Sequence, residues 1–250
     1  MSRLTTWDAA AALKWLAAHA RKANLDAMAR YAIPSDHALG VAMRDVQALA
    51  KEIGRDHAIA GRLWKSGVYE ARLLAAYVED PAQVTAAQMD RWCRQFGNWA
   101  VCDTVCFALF DRTPHAWAKV RAWASRTPEF EKRAAFALLW ALTVHDKRAA
   151  DQAFLDGLAL IREAADDDRP FVKKAVNMAL RATGKRNLPL NRAAIGVARD
   201  LAGSDSPHAR WVGAHALREL NSVSVQRRVA ARPTRLDSGA AGLESRRRGA

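Results

Sequence analysis

Segments with apolar residues at helical spacing follow one another from end to end of this chain, and similar segments return at intervals of roughly 30–41 residues. The recurring pieces read Glu70-Ala-Arg-Leu-Leu-Ala, Lys132-Arg-Ala-Ala-Phe-Ala, Lys173-Lys-Ala-Val-Asn-Met-Ala-Leu-Arg and Arg210-Trp-Val-Gly-Ala-His-Ala-Leu-Arg. Each sets a basic or polar residue ahead of an alanine-rich apolar stripe. A helical unit repeated at this interval cannot bury its apolar face alone, so neighbours must stack.

The punctuation between segments fits that scheme. Breaks fall at Ile33-Pro34-Ser35-Asp36, Ser66-Gly67, Asp80-Pro81, Thr113-Pro114, Thr127-Pro128, Asp168-Arg169-Pro170 and Gly203 to Pro207. Apolar spacing predicts helices over 43–53, 57–64 and 69–78, then 85–96, 98–109, 114–125 and 129–144. The last pairs are predicted over 148–165 with 170–183 and 190–202 with 207–220. Thr85-Ala-Ala-Gln88 reads as a capping box. The expectation is an all-α solenoid of HEAT-like helix pairs, whose inner helices line a concave basic face over residues 1–220. Residues 221–250 lose the periodicity and gain Arg, Pro, Ser and Gly, so they read as a disordered basic tail.

Charge narrows the partners. The chain carries 39 Lys+Arg against 26 Asp+Glu, a net +13. Residues 221–250 hold seven arginines against Asp237 and Glu244, a surplus of five that leaves eight for the rest. A body this basic suggests a polyanion, nucleic acid first. The alternative is a solvated arginine-rich surface. Cys93, Cys102 and Cys106 form no C-x-x-C pair, and their odd number argues against a disulfide framework. Cys102 and Cys106, one helical turn apart, read as packing groups. No metal site is expected: Asp166 to Asp168 read as a capping loop, and no ligand cluster has zinc spacing. His57 and His215 lie in apolar helical patterns and read as packing residues. No Walker or dinucleotide glycine pattern occurs, so no cofactor is expected. With no signal-peptide pattern and no apolar run of about 18 residues, the expectation is a cytoplasmic protein off the membrane.

One constellation stands out for chemistry. Trp99 and Asp103 are four residues apart and share a helix face. Arg133 follows thirty residues later. An aromatic face and a carboxylate on one surface can together hold a cationic centre. The competing reading puts Trp99 in the core and pairs Asp103 with an arginine.

Over about residues 5–220 the chain resembles the DNA alkylation repair enzymes of the HEAT-like repeat family, the AlkD-type alkylpurine-DNA glycosylases. The resemblance rests on Met28-Ala-Arg-Tyr31, Gly40-Val41, Leu63-Trp64, Glu70-Ala-Arg72, Asn98-Trp99 with Asp103, Lys132-Arg133-Ala, Phe171 to Arg181, and Arg210-Trp211. It implies a catalytic role for Asp103, a lesion-side role for Trp99, a DNA-facing aromatic in Tyr31 and an active-site arginine in Arg133. The family usually carries a second tryptophan where this chain has Met178, which leaves a two-tryptophan cradle incomplete. Lys173, Lys174, Arg181, Lys185, Arg186 and Arg210 are candidate phosphate contacts.

The activity implied is excision of N3- or N7-alkylated purines from double-stranded DNA by a monomer. The alternatives are a non-catalytic DNA-binding relative that recognises distorted or branched DNA, and a protein-interaction scaffold.

Overall fold

The computed structural model describes residues 7–231. Among these there are fourteen α-helices, two short 3-10 turns and no strand, which is the all-α class that the periodicity predicts. The chain divides into two compact units, with the division at Leu138/Leu139 inside one helix.

The first unit contains α1 (Ala9–Ala18), α2 (Lys22–Met28), α3 (Met43–Ile53), α4 (His57–Lys65), α5 (Tyr69–Val78), α6 (Ala86–Cys93), α7 (Trp99–Ala108) and α8 (Ala116–Ala124). The helix α9 (Glu129–His145) begins in it. Side-chain caps fix several starts: Asp56 accepts from the Ile59 amide at 2.7 Å, and Asn98 from the Val101 amide at 2.9 Å. Half of the expected capping box forms. Thr85 accepts from the Gln88 amide at 3.1 Å, but the Gln88 side chain turns away and donates to buried Glu79 at 2.7 Å. α5 packs on α3, α4 and α7. Beside it runs an aromatic ladder: Trp64 and Trp92 stack at 4.0 Å, and Phe96, Phe110 and Trp123 continue it at centroid spacings of 5.9–6.4 Å. Asp90 locks its far end by accepting from Lys119 at 2.6 Å, Trp123 at 2.8 Å and Arg126 at 2.8 Å.

The second unit holds the end of α9, α10 (Asp151–Ala164), α11 (Pro170–Gly184), α12 (Leu188–Ala202), α13 (Pro207–Leu220) and α14 (Val223–Ala230). α11, α12 and α13 pack on one another. Where α13 crosses α12, a Cβ on Gly213 would lie 2.3 Å from the Ala202 nitrogen and 2.5 Å from the Ala198 oxygen, so only glycine permits the approach.

The expectation of a disordered tail from residue 221 fails for its first part. Ser222 caps α14, and Val225 and Val229, one turn apart, are buried as α14 packs on α12 and α13. The arginines at 227 and 228 occupy the opposite, exposed face. Two apolar residues at the right spacing therefore outweigh a basic composition. The remainder of the expected tail, residues 232–250, lies outside the described residues. All three cysteines are free and buried.

Candidate active site

The first residue of α7 is Trp99, and Asp103 follows one turn later. The other side of α7 is anchored: Val101, Cys102, Val105 and Cys106 are buried, and the Cys102 and Cys106 thiols point at the Phe130 and Ala134 carbonyls of α9. That docking brings Arg133 of α9 against Asp103. The guanidinium grips the carboxylate as a fork, with Nε donating to Oδ1 at 2.9 Å and Nη2 to Oδ2 at 2.6 Å. The Arg133 side chain is only 4% exposed, while Asp103 keeps 16%, so the pair has a closed end and an open one.

Both partners titrate abnormally. Burial pushes the Asp103 carboxyl above the usual carboxylate range, and the charge and hydrogen bonds of Arg133 pull it only part of the way back. Burial acts to lower Arg133, but Asp103 more than offsets it and holds the guanidinium charged. Burial also raises the Cys93 and Cys106 thiols, so neither is an activated nucleophile.

The Trp99 indole N–H donates to the Tyr31 carbonyl at 2.8 Å. Tyr31 ends the 3-10 turn Ala29–Tyr31, and Ala32 follows in the left-handed region at φ 53. The Tyr31 side chain is 64% exposed, which excludes a core-packing role. Downstream, the fully buried Glu70 carboxylate accepts from the backbone amides of Leu39, Gly40 and Val41 at 2.7–3.2 Å. Gly40 has φ 76, and a Cβ there would lie 2.3 Å from the Arg21 oxygen. The loop that follows Tyr31 is thus held in one place. Sequence reasoning did not single out Glu70 as its clamp; an acid set among the apolar residues of α5 was the available signal.

In the second unit, the cations read as phosphate contacts divide. Arg186 donates to the carbonyls of Thr143, Asp146 and Ala149 at 2.7–3.3 Å and lies 4.1 Å from the Phe154 ring. It ties down the end of α9, which is a structural task. Arg181 and Lys185 share the Glu219 carboxylate, and hydrogen bonds and charge from both hold that carboxyl below its ordinary range despite burial. Arg210 donates to the Ser204 and Asp205 carbonyls ahead of its own helix. Lys173 sits over the Trp211 ring at 5.4 Å, and Lys174 is exposed. Met178 is half-buried on α11, between buried Asn177 and Ala179.

Other expectations resolve similarly. His57 is not a packing residue: its Nδ1 lies 2.7 Å from Glu79 and its side chain is 42% exposed. His215 bonds the Trp211 carbonyl through Nδ1 and lies against the Trp211 ring. Asp167 accepts from the Arg169 amide, as a capping loop should. Among the described residues, no group of His, Cys, Asp and Glu is placed to hold a metal ion, and no helix is long and apolar enough to cross a membrane.

A family model described as DNA alkylation repair enzyme matches residues 12–220, most of the chain. This chain belongs to that family. One solved structure, from a family related to the HEAT-like repeat DNA glycosylases with affinity for branched DNA structures, aligns with a TM-score of 0.70 at 18% identity. The alignment covers 85% of this chain and 95% of the other, and at that identity it shows a shared HEAT-like repeat fold. No curated protein sequence matches the chain.

The family match spans Tyr31, Trp99, Asp103 and Arg133 in the first unit and Lys173, Lys174, Met178, Arg181, Lys185, Arg186 and Arg210 in the second. It ends before α14, so the family model stops short of the last described helix of this chain.

Proposed function

We propose that this DNA alkylation repair family member excises cationic N3- or N7-alkylated purines from double-stranded DNA. The carrying observation is the Asp103 carboxylate, fixed by the buried Arg133 fork, left open on one side and set one turn after Trp99. An alkylated purine already bears positive charge, so it leaves as a neutral base when the glycosidic electron pair moves onto it. The sugar left behind is oxocarbenium-like, and a fixed carboxylate stabilises it. Water then adds to the anomeric carbon and gives its proton to solvent or to Asp103. Arg133 acts as a positioning residue: it orients the carboxylate and favours its ionised form. Because burial raises the Asp103 carboxyl, release should fall on acidification at a higher pH than an ordinary aspartate, near 3.9, would dictate.

Single-turnover release of N7-methylguanine from methylated duplex tests this reading. Wild-type protein should release base, and Asp103→Asn should lose on the order of 10²–10³ in rate when both are assayed below the melting transition of the variant. Equal rates would sink the role given to Asp103.

A second reading, DNA binding without excision, draws support from Met178, which offers no π face where the resemblance places a tryptophan. Wild-type protein that binds methylated duplex and releases nothing would favour it. Under the first reading, Met178→Trp raises release or leaves it unchanged, and its half-buried position limits the overpacking cost to about 1 kcal/mol.

A further inference from the structure

A groove of about 450 Å³ lies between α4 and α6, and every charged residue lining it is a cation. Lys65 of α4 and Arg91 of α6 are exposed, and their side chains make no hydrogen bond or ion pair among the described residues. Arg72 reaches in from α5; it donates to the Gln95 carbonyl at 3.1 Å and lies 5.2 Å from the Trp64 ring centre. Burial lowers its guanidinium, which makes a charged partner more favourable there. His57 is held at the rim by Glu79, which is fully buried and engaged by His57 and Gln88.

The floor decides the class of ligand. Trp64 and Trp92 stack on each other at an interplanar angle of 2° and are 3% and 5% exposed. They offer no free ring face on which a base can stack, so recognition falls to charge. Unsatisfied cations over a closed aromatic floor suit phosphate, not a nucleobase. Arg72 also lines a second cleft of about 240 Å³, shared with Asn98 and with Asp36 and His37 of the loop after Tyr31. Asn98 caps the helix that carries Trp99 and Asp103. Arg72 is therefore the common wall between the groove and the surroundings of the candidate site.

We propose that the α4–α6 groove binds backbone phosphates of the DNA that leads away from the Trp99–Asp103 site, with Lys65, Arg72 and Arg91 as the contacts. The assignment rests on DNA being the substrate but not on base excision.

The test uses a variant that spares the packing. A Cβ added at Gly61, on the groove wall, meets nothing within 4 Å. Gly61→Glu thus places a carboxylate in the groove and improves helix propensity. Gly196 on α12 is equally open, so Gly196→Glu is the control for net charge. Binding of the full chain to undamaged duplex DNA is measured over a salt series. Gly61→Glu, and separately Lys65→Gln with Arg91→Gln, should weaken binding about tenfold near 0.1 M salt and flatten the salt slope by about 1–2, the loss of one or two phosphate contacts. Gly196→Glu should leave the slope unchanged. Wild-type slopes in the groove variants, or an equal loss in the control, would overturn the proposal. Base release by the wild-type protein is scored in parallel: a chain that releases nothing yet shows the groove-specific loss keeps this site and loses only the excision reading.

Discussion

The indole N–H of Trp99 donates to the backbone carbonyl of Tyr31 at 2.8 Å, across 68 residues of sequence. This single bond fastens the start of α7 to an exposed aromatic turn, so two residues that the sequence places far apart stand side by side. Helix capping by Asn98 and the Glu70 clamp on Leu39, Gly40 and Val41 fix the two sides independently. The tether therefore sets the spacing between parts that are already rigid.

Trp99→Phe keeps an aromatic face and removes the donor. The Tyr31 carbonyl is near solvent and can be hydrated, so stability should fall by only about 0.5–1.5 kcal/mol. Base release should fall more than stability would explain, because the turn bearing Tyr31 is no longer registered to α7. Denaturant unfolding and single-turnover release of the same variant check this. A variant with an unchanged release rate would show that the tether has no part in the site.

Asp90 supplies a pH dependence of known sign. Burial acts to raise its carboxyl, but hydrogen bonds from Lys119, Trp123 and Arg126 outweigh this, and the folded value lies below the ordinary one. A depressed folded value contributes stability in full above the unfolded aspartate value of about 3.9, and that contribution is lost as pH falls through the folded value. Asp90→Asn should cost about 1.5–3 kcal/mol at neutral pH. The gap between variant and wild type should close in acid. Melting curves from pH 7 down to about 3 test this; a gap that stays constant would show that the charge of Asp90 is not what matters.

The sequence displays the fold more fully than the site, for a physical reason. Helix limits depend on neighbours within a turn, and the spacing predicts α3 and α5 with the ends the structure has, Met43–Ile53 and Tyr69–Val78. Ion pairing across repeats has no such local signature. Arg181, Lys185 and Arg186 look like free cations in the sequence, yet their partners Glu219 and Thr143 lie 34–43 residues away. The Asp103–Arg133 fork has a similar separation of 30 residues, and only the docking of α7 on α9 makes it visible. Sequence reasoning opposes catalysis to ion pairing for Asp103, whereas the structure combines an ion pair with an open edge.

The last turn of the fold gives a third prediction. Deleting residues 221–250 removes α14, whose Val225 and Val229 are 5% and 0% exposed. Burying a valine contributes about 1.5–3 kcal/mol, so the truncation should lower stability by about 3 kcal/mol or more. Val229→Ala should reproduce part of the loss, about 1–2 kcal/mol. A truncated chain that melts with the wild type would mean that α14 adds nothing to the second unit.

The Asp103–Arg133 pair allows chemistry and stability to be separated. Asp103→Asn leaves a guanidinium that is 4% exposed without its counter-ion, and breaking a buried pair from one side costs about 3–5 kcal/mol. Loss of activity in that variant alone is therefore ambiguous. Arg133→Met removes the other charge and leaves a carboxylate with its open edge. The double variant has no unpaired buried charge, so its stability should recover most of what either single change loses. Release should behave differently. Arg133→Met keeps the carboxylate and should retain part of the wild-type rate, with an acid limit shifted further upward because the pull of Arg133 on the Asp103 carboxyl is gone. Asp103→Asn and the double variant lack the charge proposed to stabilise the sugar cation, so both should be slower than wild type by on the order of 10²–10³. The discriminating result is a double variant that is stable and nearly inactive: it would assign the rate loss to the missing carboxylate and not to a loosened fold. A double variant that is stable and releases base at the wild-type rate would leave the pair as a structural tie between α7 and α9 and move the chemistry elsewhere.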